Sequence, residues 1–303
     1  MSSSLPPRPP PLPPVPPPLP SKTIQQNSVK PLTIFYPLDN IIEEIHHVLR
    51  RKLSLLSSEK SCDLLLSHYM PVPSLLQDGP MCGLVALQLA AECLKVEINA
   101  KELLKVAQNE GWSKQGEIFN AKHISLLVEK CLKCNAELIT GGLDVNQEKI
   151  SQHLMNGLPV LIPYDSDGNH EPCFKKGHKA HWAVLTGMVL VFNKSDYSAA
   201  SIHELHYHQD EMLPNVFHAE ISKDMNYDEK RFALMDYKRS DIYVYAKHGK
   251  SKYLDLWNYE QLAASNNNLV EVSGEILQDR DNFVIPIDGV ISGLMGRSVL
   301  IWK

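Results

Sequence analysis

The sequence predicts an α+β protein in which a helical half packs against an antiparallel β half. Apolar residues recur at helical spacing in the first part of the chain, up to about residue 133. After residue 158 the apolar runs become short and rich in β-branched and aromatic side chains, which is typical of strands. Helices followed by strands favour the α+β class, with a cleft between the two halves.

Four segments predict the helical half. The run Cys82–Leu94 is apolar nearly all round and indicates a buried helix that starts just after Gly79-Pro80. Asn99 and Glu102 form a box-like cap for the next helix. The other two helices are predicted on an amphipathic pattern after Pro37 (Ile41, Ile42, Ile45, Val48, Leu49, Leu53) and over Asn120–Lys133.

The β half is predicted from six apolar runs, of which the second opens with a histidine. The long polar stretch 193–240 interrupts them and is interpreted as an insertion or flap, because it exceeds an ordinary connection. The runs are Pro159–Tyr164, His181–Phe192, Asp241–Lys247, Lys252–Trp257, Phe283–Ile287 and Ser298–Trp302.

A proline-rich segment opens the chain: Leu5–Pro20 contains 11 of the 21 prolines. Proline removes the backbone donor and fixes φ, so this segment predicts an extended polyproline II arm. We predict that residues 1–36 are a disordered proline-rich arm and linker and that 37–303 are the folded domain. The arm suits profilin, SH3 or WW grooves, and a stiff tail without a partner is the alternative.

Charge and cysteine content narrow the class of protein. A net charge of −5 argues against a nucleic-acid surface. No apolar run reaches the roughly 18 residues of a membrane span, and the N-terminus lacks the pattern of a secretion signal. The six spread cysteines indicate reduced thiols in the cytosol or nucleus. Cys131 and Cys134 form only half of a metal signature, so neither a metal nor a cofactor is predicted.

The segment Gln77–Gly83 (QDGPMCG) carries the strongest indication of chemistry. A thiol at a helix N-terminus meets unpaired N–H groups and the positive end of the dipole, so we expect a lowered pKa for Cys82. The Gln77 amide is a candidate donor to an oxyanion formed by attack on a carbonyl. His181 opens the apolar run HWAVLTG and is the candidate base, with His178 as its nearest competitor.

These motifs resemble those of papain-like cysteine peptidases, in particular the C39-like peptidases. Together with the proline-rich head and the late run KHGKSKYLDLWNYEQL, the chain resembles the actin maturation protease family over essentially its whole length. The resemblance implies a cytosolic aminopeptidase that removes the acetylated first residue, Met or Cys, from immature actin. The implied site is Cys82 as nucleophile, His181 as base and Gln77 as oxyanion donor.

In such peptidases an Asn or Asp on a later strand orients the histidine. Asn258 is the first choice for this role, with Asp255 and Asn193 as alternatives; Asn258 could instead only cap a following helix. A basic rim (Lys175, Lys176, His178, Lys179) would attract an acidic peptide. Two other functions stay open: a C39-like endopeptidase on another peptide, and an inactive adaptor that acts through its polyproline arm.

Overall fold

One long strand, β4 (Ala180–Asn193), organises the sheet. The computed structural model describes residues 43–51, 63–193, 205–219 and 241–303. In these ranges nine strands form one mostly antiparallel sheet in the order β2-β9-β3-β4-β1-β6-β5, and β7 pairs with both β4 and β8. The other strands are β1 (Asp63–Tyr69), β2 (Asn135–Ile139), β3 (Val160–Asp165), β5 (Tyr207–Gln209), β6 (Val216–Ala219), β7 (Asp241–Lys247), β8 (Asp255–Asn258) and β9 (Ser298–Trp302).

Strand β4 is fixed on both edges. Its first half pairs with β3, and its second half pairs with β1 from Gly187 onward. Strand β7 lies along the other edge, with a shift of register between Leu185 and Gly187. Because three strands hold β4, the position of the residues at its start is set by the whole sheet.

The described helices are short. They are α1 (helical over 43–51), α2 (Cys82–Cys93), α3 (Ala100–Asn109), α4 (Ala121–Leu127, continued by a π-helical turn Val128–Leu132), α5 (Gln147–Met155), α6 (Tyr259–Asn267), α7 (Gly274–Gln278) and α8 (Gly289–Gly293). The predicted capping box forms at α3, where the Asn99 side chain accepts from the Glu102 amide at 3.0 Å.

Helices cover both faces of the sheet. Helices α2, α3 and α4 share one core with Trp182 and Val184 of β4. Helices α5 and α6 pack into a second core with Ala183 and Leu185, which point to the opposite face because side chains alternate along a strand. The mixed α+β class with a mostly antiparallel sheet is confirmed. The simpler picture of one helical half against one β half is replaced by a sheet with helices on each side.

Of the two predicted closing strands, Ser298–Trp302 is confirmed and Phe283–Ile287 is wrong. Phe283–Ile287 follows a 3-10 turn (Arg280–Asn282) and forms no strand. The Val284 amide donates to the Glu117 carboxylate at 2.9 Å instead of to a neighbouring strand, and Ile287 is 97% exposed. Short apolar runs are ambiguous because their pattern does not record which backbone partner is near.

Several predictions fall on residues outside the described ranges. These are the proline-rich arm and linker over 1–36, the first turn of the predicted helix after Pro37, and much of the 193–240 insertion, of which β5 and β6 are described. Among the residues that are described, no helix is both long and apolar enough to cross a bilayer.

Buried Asn266 ties α6 to the sheet. Its Nδ2 donates to the carbonyls of Pro163 (2.8 Å) and Arg297 (3.0 Å). We expect Asn266→Ala to lower the free energy of unfolding by roughly 2–3 kcal/mol, because two buried carbonyls lose their donor. Denaturant unfolding measures this. The exposed neighbour Asn267→Ala is the matched control and should change stability by less than about 0.5 kcal/mol. Equal effects of both variants would contradict the assignment.

Candidate active site

Helix α2 begins at Cys82 because the chain before it cannot be helical. Gly79 has a φ of 65° and Pro80 follows it, and the first helical hydrogen bond is Val85 N–H to the Met81 carbonyl at 2.9 Å. No side chain caps this end of the helix. The amides of Cys82 and Gly83 therefore face the Cys82 sulfur, together with the amide of Trp182.

Gly83 lets the start of α2 sit directly on β4. A Cβ at this position would lie 3.2 Å from Cδ1 and 3.3 Å from Nε1 of Trp182. The indole is itself fixed, since its Nε1 donates to the Ile118 carbonyl at 2.9 Å. Close packing of Gly83 on Trp182 thus places Cys82 and His181, the residues that precede them in the sequence, in the lining of one cavity.

Gln77, Cys82 and His181 line one cavity of about 380 Å³. Its polar wall includes Lys179 and Lys250. Its other wall is mostly apolar and is formed by Ile118, Phe119, Val272, Ile276, Phe283, Val290 and Leu294. The cavity thus joins a thiol, an imidazole and an amide to an apolar surface large enough for one substrate side chain.

The protonation of the two central groups differs from the sequence-based expectation. Burial raises the pKa of the Cys82 thiol, and the nearby amides and Lys250 offset this only in part. The expected lowering of this pKa by the helix N-terminus is therefore wrong for the free protein, because desolvation of the thiolate outweighs it. Burial, followed by the charges of His248, His170 and Lys250, lowers the pKa of His181 to about 3.

A neutral thiol and a neutral imidazole are consequently the ground state near pH 7. The Nε2 of His181 is buried and has no hydrogen-bond partner among the described residues, so no hydrogen bond joins it to the Cys82 sulfur. A proton transferred from the sulfur to this nitrogen would create both charges together, and each charge would stabilise the other.

Gln77 is anchored next to the thiol by the loop after β7. Its backbone amide donates to the Gly249 carbonyl at 2.7 Å, and its Nε2 donates to the Gly79 carbonyl at 2.7 Å. A Cβ on Gly249 would lie 2.9 Å from the Gln77 Cβ and Oε1, so glycine is required there. To donate to an oxyanion, the Gln77 side-chain amide must first break its hydrogen bond to the Gly79 carbonyl.

Two further histidines surround His181. The His170 ring lies 5.6 Å and the His248 ring 5.4 Å from it, centroid to centroid, and the Tyr164 ring lies 5.8 Å away. The Lys250 amide donates to Nδ1 of His248 at 3.2 Å, which leaves the proton on Nε2. That Nε2 lies 3.3 Å from the Asp255 carboxylate.

Sequence reasoning missed His248. The residue was interpreted only as part of the turn between two predicted strands. The turn that carries His248 and Gly249 is visible in the sequence, but its position relative to His181 is not. That position is set by the pairing of β7 with β4, which brings the end of β7 to the start of β4.

The three residues considered for orienting His181 lie in different places. The Asn258 side chain caps α6 by accepting from the Gln261 amide at 3.0 Å. Asp255 faces His248, as described above. Asn193 is at the far end of β4, twelve residues from His181, which is about 40 Å along an extended strand.

His178, the competing base, is exposed, also lines the cavity and pairs with a carboxylate. Its Nε2 lies 2.9 Å from the Glu271 carboxylate, which also pairs with Lys176 at 2.9 Å. Two of the four residues of the expected basic rim, Lys176 and His178, thus pair with the same carboxylate. Lys179 and Lys250 remain the lysines that line the cavity.

The fold and the site together define an α+β protein in which a helix-terminal cysteine and a strand-initial histidine share one cavity. A family model for the C-terminal domain of actin maturation protease-like proteins matches residues 72–189, which include Gln77, Cys82 and His181. The chain belongs to the actin maturation protease family.

Curated relatives support this membership over most of the chain. It is 36% identical to the actin maturation protease of Xenopus tropicalis, over 85% of this chain and 80% of the relative. It is 37% identical to the human protein of that name, over 76% of this chain and 64% of the relative. The Danio rerio protein is also 37% identical, over 78% of this chain and 74% of the relative.

The raised pKa of Cys82 predicts how its reactivity depends on pH. Below that pKa the thiolate fraction grows about tenfold per pH unit, so alkylation of Cys82 by iodoacetamide should accelerate about 100-fold between pH 6 and 8. Mass spectrometry of the Cys82 peptide measures the rate. The Cys82→Ala variant is the control, because the alkylated Cys82 peptide is absent from it. A rate that is already flat across this range would show a preformed thiolate and contradict the prediction.

Proposed function

We propose that the protein is a cysteine aminopeptidase that removes the N-acetylated first residue, Met or Cys, from immature actin. One observation carries the chemistry: Cys82 and His181 line the same cavity, with the thiol at a helix N-terminus. The substrate is inferred from the relatives, which are named actin maturation protease.

The proposed reaction starts with transfer of the Cys82 thiol proton to His181. The sulfur then attacks the carbonyl carbon between the first and second residues. The shortened actin leaves as an amine, which takes the proton from His181, and the acetylated residue stays as a thioester on Cys82. Water then hydrolyses the thioester, with His181 taking and returning a proton.

Charge that develops on the carbonyl oxygen is stabilised by the Cys82 amide and the Gln77 side chain. The Cys82 amide lies at the start of α2, where amides have no helical partner, and Gln77 lies in the loop that precedes the helix. One preorganised donor of this kind contributes about 3–4 kcal/mol to lowering the barrier. The Gly79 carbonyl holds Gln77 until the substrate arrives.

Substrate choice follows from the two walls of the cavity. The apolar wall, with Ile118, Phe119 and Phe283, suits the side chain of an acetylated Met or Cys. Lys179 and Lys250 at the polar wall suit an acidic peptide that follows the cleaved bond. An acetylated amine carries no charge, so the apolar wall does not need a charged partner for it.

The residue that orients His181 is proposed to be His248, supported by Asp255, in place of Asn258. His248 lies beside the His181 ring, and its Nε2 lies 3.3 Å from the Asp255 carboxylate without forming a hydrogen bond to it. Asn258 already uses its side-chain oxygen to cap α6. The alternative, Asn258 as the orienting residue, requires that this cap be given up.

The proline-rich arm over 1–36 is proposed to bind profilin, or an SH3 or WW domain, in the cytosol. Profilin carries actin, so binding would raise the local concentration of substrate near the cavity. Calorimetry with profilin should detect binding by the full chain and none by a chain that starts at residue 37. Equal binding by both chains would contradict this part of the proposal.

Peptides that begin with acetyl-Met-Asp or acetyl-Cys-Asp test the activity itself. The full chain should release only the acetylated first residue, as measured by mass spectrometry. Cys82→Ala should lower the rate by at least about 10⁴-fold, because the nucleophile is lost. Cys93→Ala, at the other end of α2, is the matched control and should keep full activity. Internal cleavage would favour an endopeptidase, and no turnover would favour an adaptor.

The orienting role is tested by comparing two substitutions. His248→Asn should lower kcat roughly 10- to 100-fold with little change in KM, because His181 is misplaced while the cavity walls stay. Asn258→Ser should leave kcat unchanged, because Ser is a comparable N-cap but has no amide or carboxylate to orient His181. The reverse pattern would return the orienting role to Asn258.

A further inference from the structure

A second cluster of ionisable side chains lies outside the Cys82 cavity. His46 comes from α1, Asp210 from the turn after β5, and His218 from β6. The Nε2 atoms of His46 and His218 lie 2.6 Å and 2.8 Å from the same Asp210 oxygen, Oδ2. Within the described ranges, these three residues form a group of potential metal ligands whose ligand atoms all lie within 4.8 Å of one another.

The cluster is buried, and backbone hydrogen bonds to the second carboxylate oxygen hold the Asp210 side chain in place. The side chains of Asp210 and His46 are 4% and 10% exposed. The second Asp210 oxygen, Oδ1, accepts from the amides of Met212 and Leu213, each at 2.8 Å. Ligating carboxylates in metal sites are commonly oriented by outer hydrogen bonds of this kind.

The three donor atoms converge on one point. The Nε2 atoms of His46 and His218 both approach Oδ2 of Asp210, and they do so from two different elements, α1 and β6. One carboxylate and two imidazoles thus face a common point.

We propose that His46, Asp210 and His218 form a binding site for a divalent transition metal, with Zn²⁺ as the best fit. Two imidazole nitrogens and one carboxylate oxygen are ligands that Zn²⁺ accepts at about 2.0–2.2 Å. Tetrahedral ligands at that distance are about 3.3 Å apart, so each imidazole needs to withdraw by roughly 0.5–0.7 Å. A water molecule would complete the coordination.

The site would join parts of the chain that are far apart in sequence. His46 and Asp210 are separated by 164 positions. The metal would clamp α1 onto the β5–β6 pair and so stabilise the folded state by mass action. None of the three ligands lines the Cys82 cavity, so the proposal does not depend on the proposed peptidase activity.

The test uses the untagged full chain with Cys82→Ala, which removes the thiol of the cavity as a competing zinc ligand. After treatment with a chelator and dialysis, Zn²⁺ is titrated in competition with a chromogenic chelator at neutral pH. One equivalent should bind and raise Tm. His46→Asn, Asp210→Asn and His218→Asn should each weaken binding by about 100-fold or more. His47→Asn, the exposed neighbour on α1, should bind as the parent does.

Absence of stoichiometric binding, or equal binding by the ligand variants and the parent, would overturn the proposal. If the ligand variants do not fold, Co²⁺ decides the matter on the parent chain. One equivalent should produce a saturating visible spectrum of a nitrogen- and oxygen-ligated ion, which Zn²⁺ then abolishes. A spectrum that stays that of the hydrated ion would leave the cluster as a hydrogen-bonded His–Asp–His group only.

Discussion

The packing of Gly83 on Trp182 is the contact on which the candidate active site depends. It joins the first turn of α2 to the first residues of β4, and no larger side chain than glycine fits between them without displacing the indole. Because Trp182 is also bonded to the Ile118 carbonyl, the indole cannot move aside freely. Cys82 and His181 are the immediate sequence neighbours of these two residues, so the same contact brings the thiol and the imidazole to one cavity.

Burial then governs the chemistry of that cavity. It raises the pKa of Cys82 and lowers that of His181, so neither charge exists before a substrate binds. A neutral pair is inert toward small oxidants and reagents that need a thiolate. In the proposed reaction the charges are produced only when the proton moves, at the moment when the amides at the α2 terminus can stabilise the developing oxyanion.

Carboxylates outside the Cys82 cavity contact several histidine and lysine side chains. Asp255 faces His248, Glu271 holds both Lys176 and His178, and Asp210 joins two imidazoles. Asp210 and Glu271 each contact an element that is distant in sequence, whereas Asp255 and His248 belong to neighbouring segments.

Sequence alone determined the features that rest on local pattern. The α2 helix and its cysteine, the α3 capping box and strand β9 were predictable because apolar period, capping residues and glycine–proline punctuation act over a few positions. The family was predictable for the same reason, since QDGPMCG and HWAVLTG are contiguous motifs. Cys82, Gln77 and His181 were accordingly identified from the sequence, and the structure places them around one cavity.

Only the tertiary structure decided what depends on partners far along the chain. The pKa of Cys82 rises because burial by β4 and its neighbours outweighs the helix N-terminus, a balance that no local pattern records. His248 gains its place beside His181 from the pairing of β7 with β4, and Phe283–Ile287 forms no strand because its backbone meets a carboxylate instead. The His46–Asp210–His218 cluster likewise exists only once residues 164 positions apart are brought together.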